Sequence, residues 1–141
     1  MIDHFTLRVR NLGATRDFYR AALAPLGYRI GYDAVHDGVG VLGFAFDAQG
    51  GVARIDTWFV DHTEPVSGPT HLCWRAASRA QVDAFHAAAI AAGGADNGAP
   101  GLRDYHPGYY AAFALDPDGN NVEAVYHGPH VRSADSVHIT W

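Results

Sequence analysis

The first half of the sequence repeats in its second half. The stretch DHFTLRVRNL, which begins at Asp3, aligns without gaps with THLCWRAASR, which begins at Thr70, at a constant offset of 67 residues. The matched pairs include His4 with His71, Phe18 with Phe85, and Gly27 with Gly94. An internal repeat makes each half one structural unit, so the chain is predicted to fold as two copies of that unit. A pseudo-twofold relation between the copies can bring the two histidines together.

The repeat continues, less regularly, to the end of each unit. FAFDAQGGV resembles FALDPDGNNV, with Asp47 on Asp116 at an offset of 69, so the second unit is two residues longer. Each unit has roughly 60–65 residues, too few to bury an adequate core alone, so the units must pack together or against another chain. By length this is a single domain. The predicted parts are the first unit at 1–61, a linker at 61–69, the second unit at 70–127 and a tail at 128–141.

Residue patterns predict the order βαβββ in the first unit. Residues 3–10 alternate between polar and apolar, which is typical of a strand. Asn11 can cap the helix that follows, and Pro25 with Gly27 ends it. Strands are predicted at residues 28–32, 39–46 and 52–60, the last two joined by a turn at 47–51.

The second unit shows the same order. A strand at residues 70–76 leads to Ser78 and Gln81, which form a capping-box pattern, and Gly93-Gly94 ends the helix. A glycine-rich loop at 96–108 can hold a short strand. Further strands are predicted at 109–115 and 122–126 around the turn Asp116-Pro117-Asp118-Gly119, and the alternating tail can add an edge strand or contact a partner.

Composition removes several classes of function. The net charge is −5 with no basic run, which argues against nucleic-acid binding. No apolar run approaches the ~18 residues of a membrane span, and the N-terminus lacks the apolar core of a signal peptide, so a cytoplasmic protein is expected. Cys73 is the one cysteine, and the sequence contains no lysine. Schiff-base chemistry is therefore excluded, and the nine histidines and the carboxylates become the candidates for chemistry.

The motifs resemble those of a known superfamily. DPDGNNVE at residues 116–123, the helix phrase ATRDFYRAAL followed by PLGY, and the two matched histidines are similar to the vicinal oxygen chelate superfamily over residues 1–127. Its members include glyoxalase I, extradiol dioxygenases and bleomycin-binding proteins. The resemblance implies an α+β fold in which two βαβββ repeats form a U-shaped, largely antiparallel, eight-stranded half-barrel around a cleft.

The resemblance also implies a divalent metal ion with His4, His71 and Glu123 as its ligands. Two imidazoles and one carboxylate leave open coordination positions, and such a set accepts iron, manganese, nickel, cobalt or zinc. The metal would act as a Lewis acid on a chelating substrate. Glu123 lies among apolar residues, where an unpaired charge is costly, and coordination is one way to keep it there.

The sequence departs from the glyoxalase I pattern, which has a further glutamate near the end of the first unit. Opposite Glu123 the repeat places Arg54 at offset 69 and Asp56 at offset 67. Strand alternation predicts that Arg54, Asp56 and Trp58 share one face, which makes Arg54 and Trp58 candidates for binding substrate. Because an arginine cannot accept a proton, Asp56 is the candidate catalytic base.

The sequence also departs from the ring-cleaving dioxygenases, because Phe113 stands where those relatives have a tyrosine. His106 lies at a suitable earlier spacing and is a second candidate for acid–base catalysis. The segment 98–110 is predicted to form a wall or lid of the cleft. Its candidate substrate-binding residues are Arg103, Tyr105, Tyr109 and Tyr110.

The leading hypothesis is a metal-dependent enzyme, lyase- or isomerase-like, that acts on a small oxygenated molecule through adjacent oxygens. One alternative is a non-catalytic, antibiotic-sequestering protein of the bleomycin-resistance type, with an aromatic cleft and usually without the three ligands. The other is a ring-cleaving extradiol dioxygenase. A homodimer is expected, with a small-molecule substrate and no nucleic-acid or membrane partner.

Overall fold

The structure, a computed structural model, describes residues 2–46, 54–61 and 69–129. The first unit contains β1 (Phe5–Val9), α1 (Leu12–Leu23), a 3₁₀ turn (Ala24–Leu26), β2 (Tyr28–His36), β3 (Val39–Phe46) and β4 (Arg54–Asp61). The second unit contains β5 (His71–Arg75), α2 (Arg79–Ala91), β6 (Ala95–Leu102), β7 (Tyr110–Leu115) and β8 (Asn121–Tyr126). Both units therefore have the predicted order βαβββ.

Each unit forms a four-stranded mixed sheet with the same topology. The strand orders are β1-β4-β3-β2 and β5-β8-β7-β6. In each sheet the first and last strands of the unit pair in parallel, and the other pairings are antiparallel. The prediction of an α+β fold built from two βαβββ repeats is confirmed, and the sheets do not close into a barrel.

Two strands are longer than the sequence pattern indicates. β6 occupies much of the predicted glycine-rich loop, because pairing with β7 imposes an extended backbone on a segment without alternation, with register shifts at Gly98 and Gly101. β2 continues to His36, because its pairing with β3 extends to the β3 start at Val39. The predicted turn at 47–51, linker residues 62–68 and the tail from residue 130 lie outside the described residues.

Side chains at the predicted caps begin both helices. The Asn11 carboxamide oxygen accepts the Ala14 N–H at 3.0 Å, and the Ser78 hydroxyl accepts the Gln81 N–H at 3.3 Å. The Gln81 side chain reaches back to the N–H of Ala77 rather than to that of Ser78, so the capping box is displaced by one residue. Within the described ranges, neither helix is long and apolar enough to cross a membrane.

The two units share one hydrophobic core, centred on Tyr19 of α1. The Tyr19 ring is fully buried and lies 4.3 Å from the Phe59 ring and 5.9 Å from the Trp74 ring of the second unit, measured between centroids. Val82 and Phe85 of α2 belong to the same buried cluster. The shared core explains how two such small units can form a stable fold, since each unit alone has too little apolar surface to bury.

A buried carboxylate connects the units at the end of this core. The Tyr19 hydroxyl donates to one oxygen of Asp116 at 2.8 Å, and the Asn120 amide donates to the same oxygen. The backbone N–H groups of Asp118 and Asn120 donate to the other oxygen. Four donors compensate the cost of burying this charge, which would otherwise be several kcal/mol by order of magnitude.

We expect Tyr19→Phe to lower the free energy of unfolding by about 1.5–3 kcal/mol, because it removes a buried hydrogen bond to a charged group. Urea denaturation monitored by circular dichroism measures the change. Tyr110→Phe is the matched control, since its hydroxyl bonds to Asp83 in an exposed position and its loss should cost less than about 0.5 kcal/mol. Equal losses in the two variants would contradict a special role for the buried bond.

Candidate active site

Each sheet has one face against the helices and one face that they leave uncovered. In β1 the side chains of Phe5, Leu7 and Val9 pack into the core, and in β5 those of Leu72 and Trp74 do so. The intervening residues point the other way. We call that uncovered side the open face; it carries His4, Thr6 and Arg8 from the first unit and His71, Cys73 and Arg75 from the second.

Two of the predicted ligands meet on the open face of the second unit. Parallel pairing places Cys73 of β5 opposite Glu123 of β8, which brings the neighbouring His71 within reach. His71 Nε2 lies 3.0 Å from Glu123 Oε2, with the histidine side chain half exposed and the glutamate 3% exposed. The Tyr109 hydroxyl donates to the other carboxylate oxygen, Oε1, at 2.6 Å. One oxygen of Glu123 is thus held by Tyr109 while the other faces the imidazole.

Asn121 fixes the ring of His71 from its other side. The Asn121 side-chain amide lies 2.9 Å from His71 Nδ1, and Asn97 bonds to the same carboxamide. Asn121 precedes Glu123 by two residues in the same strand, so alternation places both on one face. Sequence reasoning missed Asn121, although its position in DPDGNNVE contained that signal.

His4 lies across a cavity from His71. The cavity, about 360 Å³ in volume, is lined by both histidines together with Tyr28 and Asp56. His4 Nδ1 is 2.9 Å from an oxygen of Asp3, whose other oxygen accepts a hydrogen bond from Arg54. Among the described residues, no group of three histidine, cysteine, aspartate or glutamate side chains is close enough to hold one metal ion. The chain therefore brings together His71 and Glu123, and His4 stands apart from that pair.

The environment of Asp3 favours its charged form. The hydrogen bond from His4 has the largest effect and lowers the pKa of Asp3. Burial opposes it, and the charge and hydrogen bond of Arg54 lower the pKa further. Arg54, predicted to line the cleft, is therefore engaged with a carboxylate beside His4.

A β-bulge places Asp56 differently from the prediction. In the register of β3 and β4, Ala45 opposes Ile55 and Phe44 opposes Thr57, so Asp56 is an extra residue. Ile55 and Trp58, not Asp56 and Trp58, line a shallow pocket on the open face. The prediction that Arg54, Asp56 and Trp58 share one face is wrong, because the bulge breaks the alternation of side chains along β4.

Asp56 nevertheless lines the cavity between the histidines. The Tyr28 hydroxyl donates to one of its oxygens and the Thr57 hydroxyl to the other, each at 2.8 Å. Each carboxylate oxygen of Asp56 thus accepts one hydrogen bond from a neighbouring hydroxyl group. In return, burial and then the Asp56 charge raise the pKa of Tyr28, so this hydroxyl stays protonated and remains a donor.

The loop before β7 forms an aromatic cluster over Glu123. His106 Nε2 lies 2.9 Å from His127 Nδ1, with the two rings stacked 5.2 Å apart. Tyr109 meets both rings edge to face, at 5.1 Å from His106 and 5.2 Å from His127. Tyr105, which is 70% exposed, contacts the Tyr109 ring at 5.0 Å. His106 therefore contacts Tyr109, whose hydroxyl donates to Glu123.

Arg103 and Tyr110 lie on opposite sides of the second sheet. The Arg103 guanidinium lies 5.4 Å above the Phe113 ring and donates to the Ala99 carbonyl at 2.6 Å; the same Phe113 ring is 6.3 Å from the His71 ring. Tyr110 instead packs against the core and bonds to Asp83 of α2. The prediction that Tyr110 lines the cleft is wrong, because alternation from Phe113 turns its side chain towards the helices.

Comparison with known proteins assigns the fold to a family. A family model described as the Glyoxalase/Bleomycin resistance protein/Dioxygenase superfamily matches residues 1–124. The chain belongs to this superfamily. A comparison with curated protein sequences found no match.

Solved structures of the superfamily share the fold. A glyoxalase/bleomycin resistance protein from Albidiferax ferrireducens T118 is 31% identical, with 87% of this chain and 95% of that chain covered and a TM-score of 0.62. A family enzyme from Burkholderia phytofirmans PsJN is 21% identical, with 88% and 96% covered and a TM-score of 0.61. Glyoxalase I from Zea mays is 18% identical with a TM-score of 0.66; the alignment covers 88% of this chain but 43% of the maize chain.

Cys73 gives a direct test of the electrostatics of this site. Burial among protein atoms, and then the Glu123 charge, raise the pKa of the Cys73 thiol even though the residue is reached by solvent. Since only the thiolate reacts, we expect iodoacetamide to alkylate Cys73 at pH 8 at least about tenfold more slowly than free cysteine. The alkylation rate of Cys73 should still rise above pH 9, where the alkylation rate of free cysteine levels off.

The control is Glu123→Gln, which removes the charge while keeping the shape and should speed the alkylation of Cys73. Mass spectrometry of the intact protein measures both rates, because the sequence contains one cysteine. Alkylation of the wild-type protein as fast as free cysteine would refute this description of the site.

Proposed function

We propose that this chain is a divalent-metal-dependent enzyme that acts on a small oxygenated molecule able to chelate the metal through adjacent oxygens. The observation that carries the proposal is the contact between His71 Nε2 and Glu123 Oε2 at 3.0 Å on the open face. Two ligands bound at right angles to one metal at about 2.1 Å are separated by about 3.0 Å. The pair thus already has the spacing of neighbouring ligands.

The residues around the pair fit this role. Tyr109 occupies one oxygen of Glu123 and leaves the other for the metal. Rotating the carboxamides of Asn121 and Asn97 by 180° keeps their mutual contact and turns an oxygen towards His71 Nδ1. His71 then donates from Nδ1 and offers a lone pair at Nε2, the arrangement usual for metal-binding histidines.

His4 is the proposed third ligand, and the metal site is proposed to be shared in a homodimer. The open faces of both sheets lack a covering layer within the described chain, and the apolar pocket beside His4 is lined by Val41, Ile55, Trp58 and Val60. A second copy would cover this surface, and His4 of one protomer would meet His71 and Glu123 of its partner. An isologous dimer is the commonest arrangement for such a chain.

When bound, the metal supplies Lewis-acid chemistry to the chelating oxygens, and iron, manganese, nickel, cobalt and zinc all suit the donor set. Asp56 is the proposed base, because its carboxylate lines the same cavity as both histidines and has acceptor capacity beyond its two hydrogen bonds. Arg103, lying over Phe113 beside His71, is the proposed contact for a polar group of the substrate. Lyase or isomerase chemistry fits a base beside a Lewis acid better than ring cleavage does.

A binding protein of the bleomycin-resistance type is the second candidate. The observation that favours it is the apolar pocket on the open face, whose lining includes Trp58 and which has a volume of about 380 Å³. Such a protein would bind its ligand without a metal. Metal binding therefore decides between the two candidates.

We expect wild-type protein to bind Zn²⁺ or Co²⁺, and His71→Ala and Glu123→Gln each to raise the metal Kd at least about tenfold. Isothermal titration calorimetry on chelator-treated protein measures the affinities. His86→Ala is the control, because His86 lies on α2 and contacts Asp96 away from the open face. Unchanged affinity in both site variants, or an equal loss in the control, would count against the proposed metal site.

The shared site predicts complementation between two inactive chains. The His4→Ala and Glu123→Gln variants should each bind metal weakly when they are alone. Heterodimers refolded from a mixture of the two should recover one intact site and therefore half of the wild-type metal occupancy. The reason is that one interface then combines an intact His4 with an intact His71 and Glu123. Absence of recovery in purified heterodimers would place the site within one chain, and a monomer mass by light scattering would exclude the dimer.

A further inference from the structure

The contact between Asp3 and His4 determines which nitrogen of this histidine carries a proton. His4 Nδ1 lies 2.9 Å from Asp3 Oδ1. A charged carboxylate can only accept a hydrogen bond, so the imidazole is the donor and its proton is on Nδ1. In the neutral ring the lone pair is then on Nε2. Unlike the amide of Asn121 beside His71, a carboxylate fixes the tautomer in either orientation, because both of its oxygens are acceptors.

Arg54 holds the carboxylate that contacts His4. Its guanidinium donates to Asp3 Oδ2, the oxygen that His4 does not use. Arg54 is the first residue of β4, which pairs in parallel with β1. The three side chains of Arg54, Asp3 and His4 therefore connect the starts of two paired strands, with a cation, an anion and an imidazole in that order.

Strand register puts a tryptophan in the first unit where the second unit has its glutamate. Cys73 of β5 pairs with Glu123 of β8. Thr6, the repeat equivalent of Cys73, pairs with Trp58 of β4. Trp58 has no carboxylate to offer to a histidine. In the first unit the carboxylate beside His4 comes instead from its own neighbour in the chain, and it contacts the other ring nitrogen.

The tautomer matters because a neutral histidine side chain free in water favours the proton on Nε2. In a protein, the hydrogen bond at one nitrogen decides which nitrogen keeps the proton. Metal-binding histidines usually donate their second N–H to a carboxylate or a carbonyl group, which orients the ring and makes the ligating nitrogen more basic. The bond from His4 to Asp3 has this form, and it leaves Nε2 as the nitrogen able to ligate.

We propose that Asp3 is a positioning residue for His4 and is itself held by Arg54. It fixes the Nδ1–H tautomer and so keeps Nε2 available as the third ligand of the proposed metal site. The inference rests on the proposed function for the statement that Nε2 binds a metal. The tautomer does not require the metal, so the two statements can fail separately. Arg54 then serves the site through Asp3 rather than by contact with substrate.

The first measurement uses metal-free, full-length protein at about pH 8.5, well above the ordinary histidine pKa of about 6.5. Proton–nitrogen correlation NMR spectra of the imidazole rings distinguish the two tautomers, and His4→Ala identifies the His4 signals by their loss. We expect the Nδ1–H form in the wild type and in Asp3→Asn, whose carboxamide oxygen still accepts the bond. Asp3→Ala should shift His4 towards the Nε2–H form.

The second measurement is the Zn²⁺ affinity of the same variants by isothermal titration calorimetry. Asp3→Ala should raise the Kd at least about tenfold, and Asp3→Asn should recover part of that loss. Arg54→Gln should raise the Kd by about two- to fivefold, a smaller effect because Arg54 acts on His4 through an exposed ion pair with Asp3.

Asp33→Ala is the matched control, because Asp33 forms a similar solvent-accessible ion pair with Arg16 of α1, away from the open face. It should change neither the tautomer of His4 nor the Kd. The inference is overturned if His4 of the wild type carries its proton on Nε2, if Asp3→Ala keeps the wild-type tautomer, or if Asp3→Ala binds Zn²⁺ as tightly as the wild type. The expected tautomer change in a protein that takes up no metal would support the hold of Asp3 on His4 while refuting the proposed metal enzyme.

Discussion

The position of the site depends on one buried hydrogen bond, from Tyr19 to Asp116. The tyrosine belongs to the first unit and the carboxylate to the turn that leads into β8 of the second. Because each unit is too small for an adequate core, the contact between them must be both apolar and specific. The aromatic packing around Tyr19 makes this contact apolar. The hydrogen bond to Asp116 makes it specific, because it fixes how the two units meet.

The site follows from strand register. Asn120 of the same turn accepts the N–H of Thr70, and the N–H of Asn121 bonds to the Thr70 carbonyl, which aligns the starts of β5 and β8. Parallel pairing from that point places His71 and Glu123 side by side. The motif DPDGNNVE thus combines two roles: its aspartate connects the units, and its glutamate enters the site at a fixed distance along the strand.

The sequence was sufficient for the fold class and for part of the site. Repetition predicted two βαβββ units, and the resemblance selected His71 and Glu123, which the fold brings into contact. The sequence was insufficient where the pairing of backbones, rather than the pattern of side chains, determines the conformation of a segment. The bulge at Asp56 and the strand β6 depend on neighbouring strands, and no local pattern indicates either. Tyr110 lies three residues from Phe113 in β7, so strand alternation places the two side chains on opposite faces and Tyr110 against the core.

The edge positions of β1 and β5 have a consequence for how such a protein can change. Each is a five-residue strand at the border of its sheet, bonded by a backbone ladder to one neighbour, β4 or β8. At the cavity they meet through side chains such as Phe5 and Trp74. Substituting those rings would therefore alter the separation of His4 from His71 without breaking a ladder. The width of the cleft is an adjustable property of this architecture, open to gradual change by ordinary core mutations.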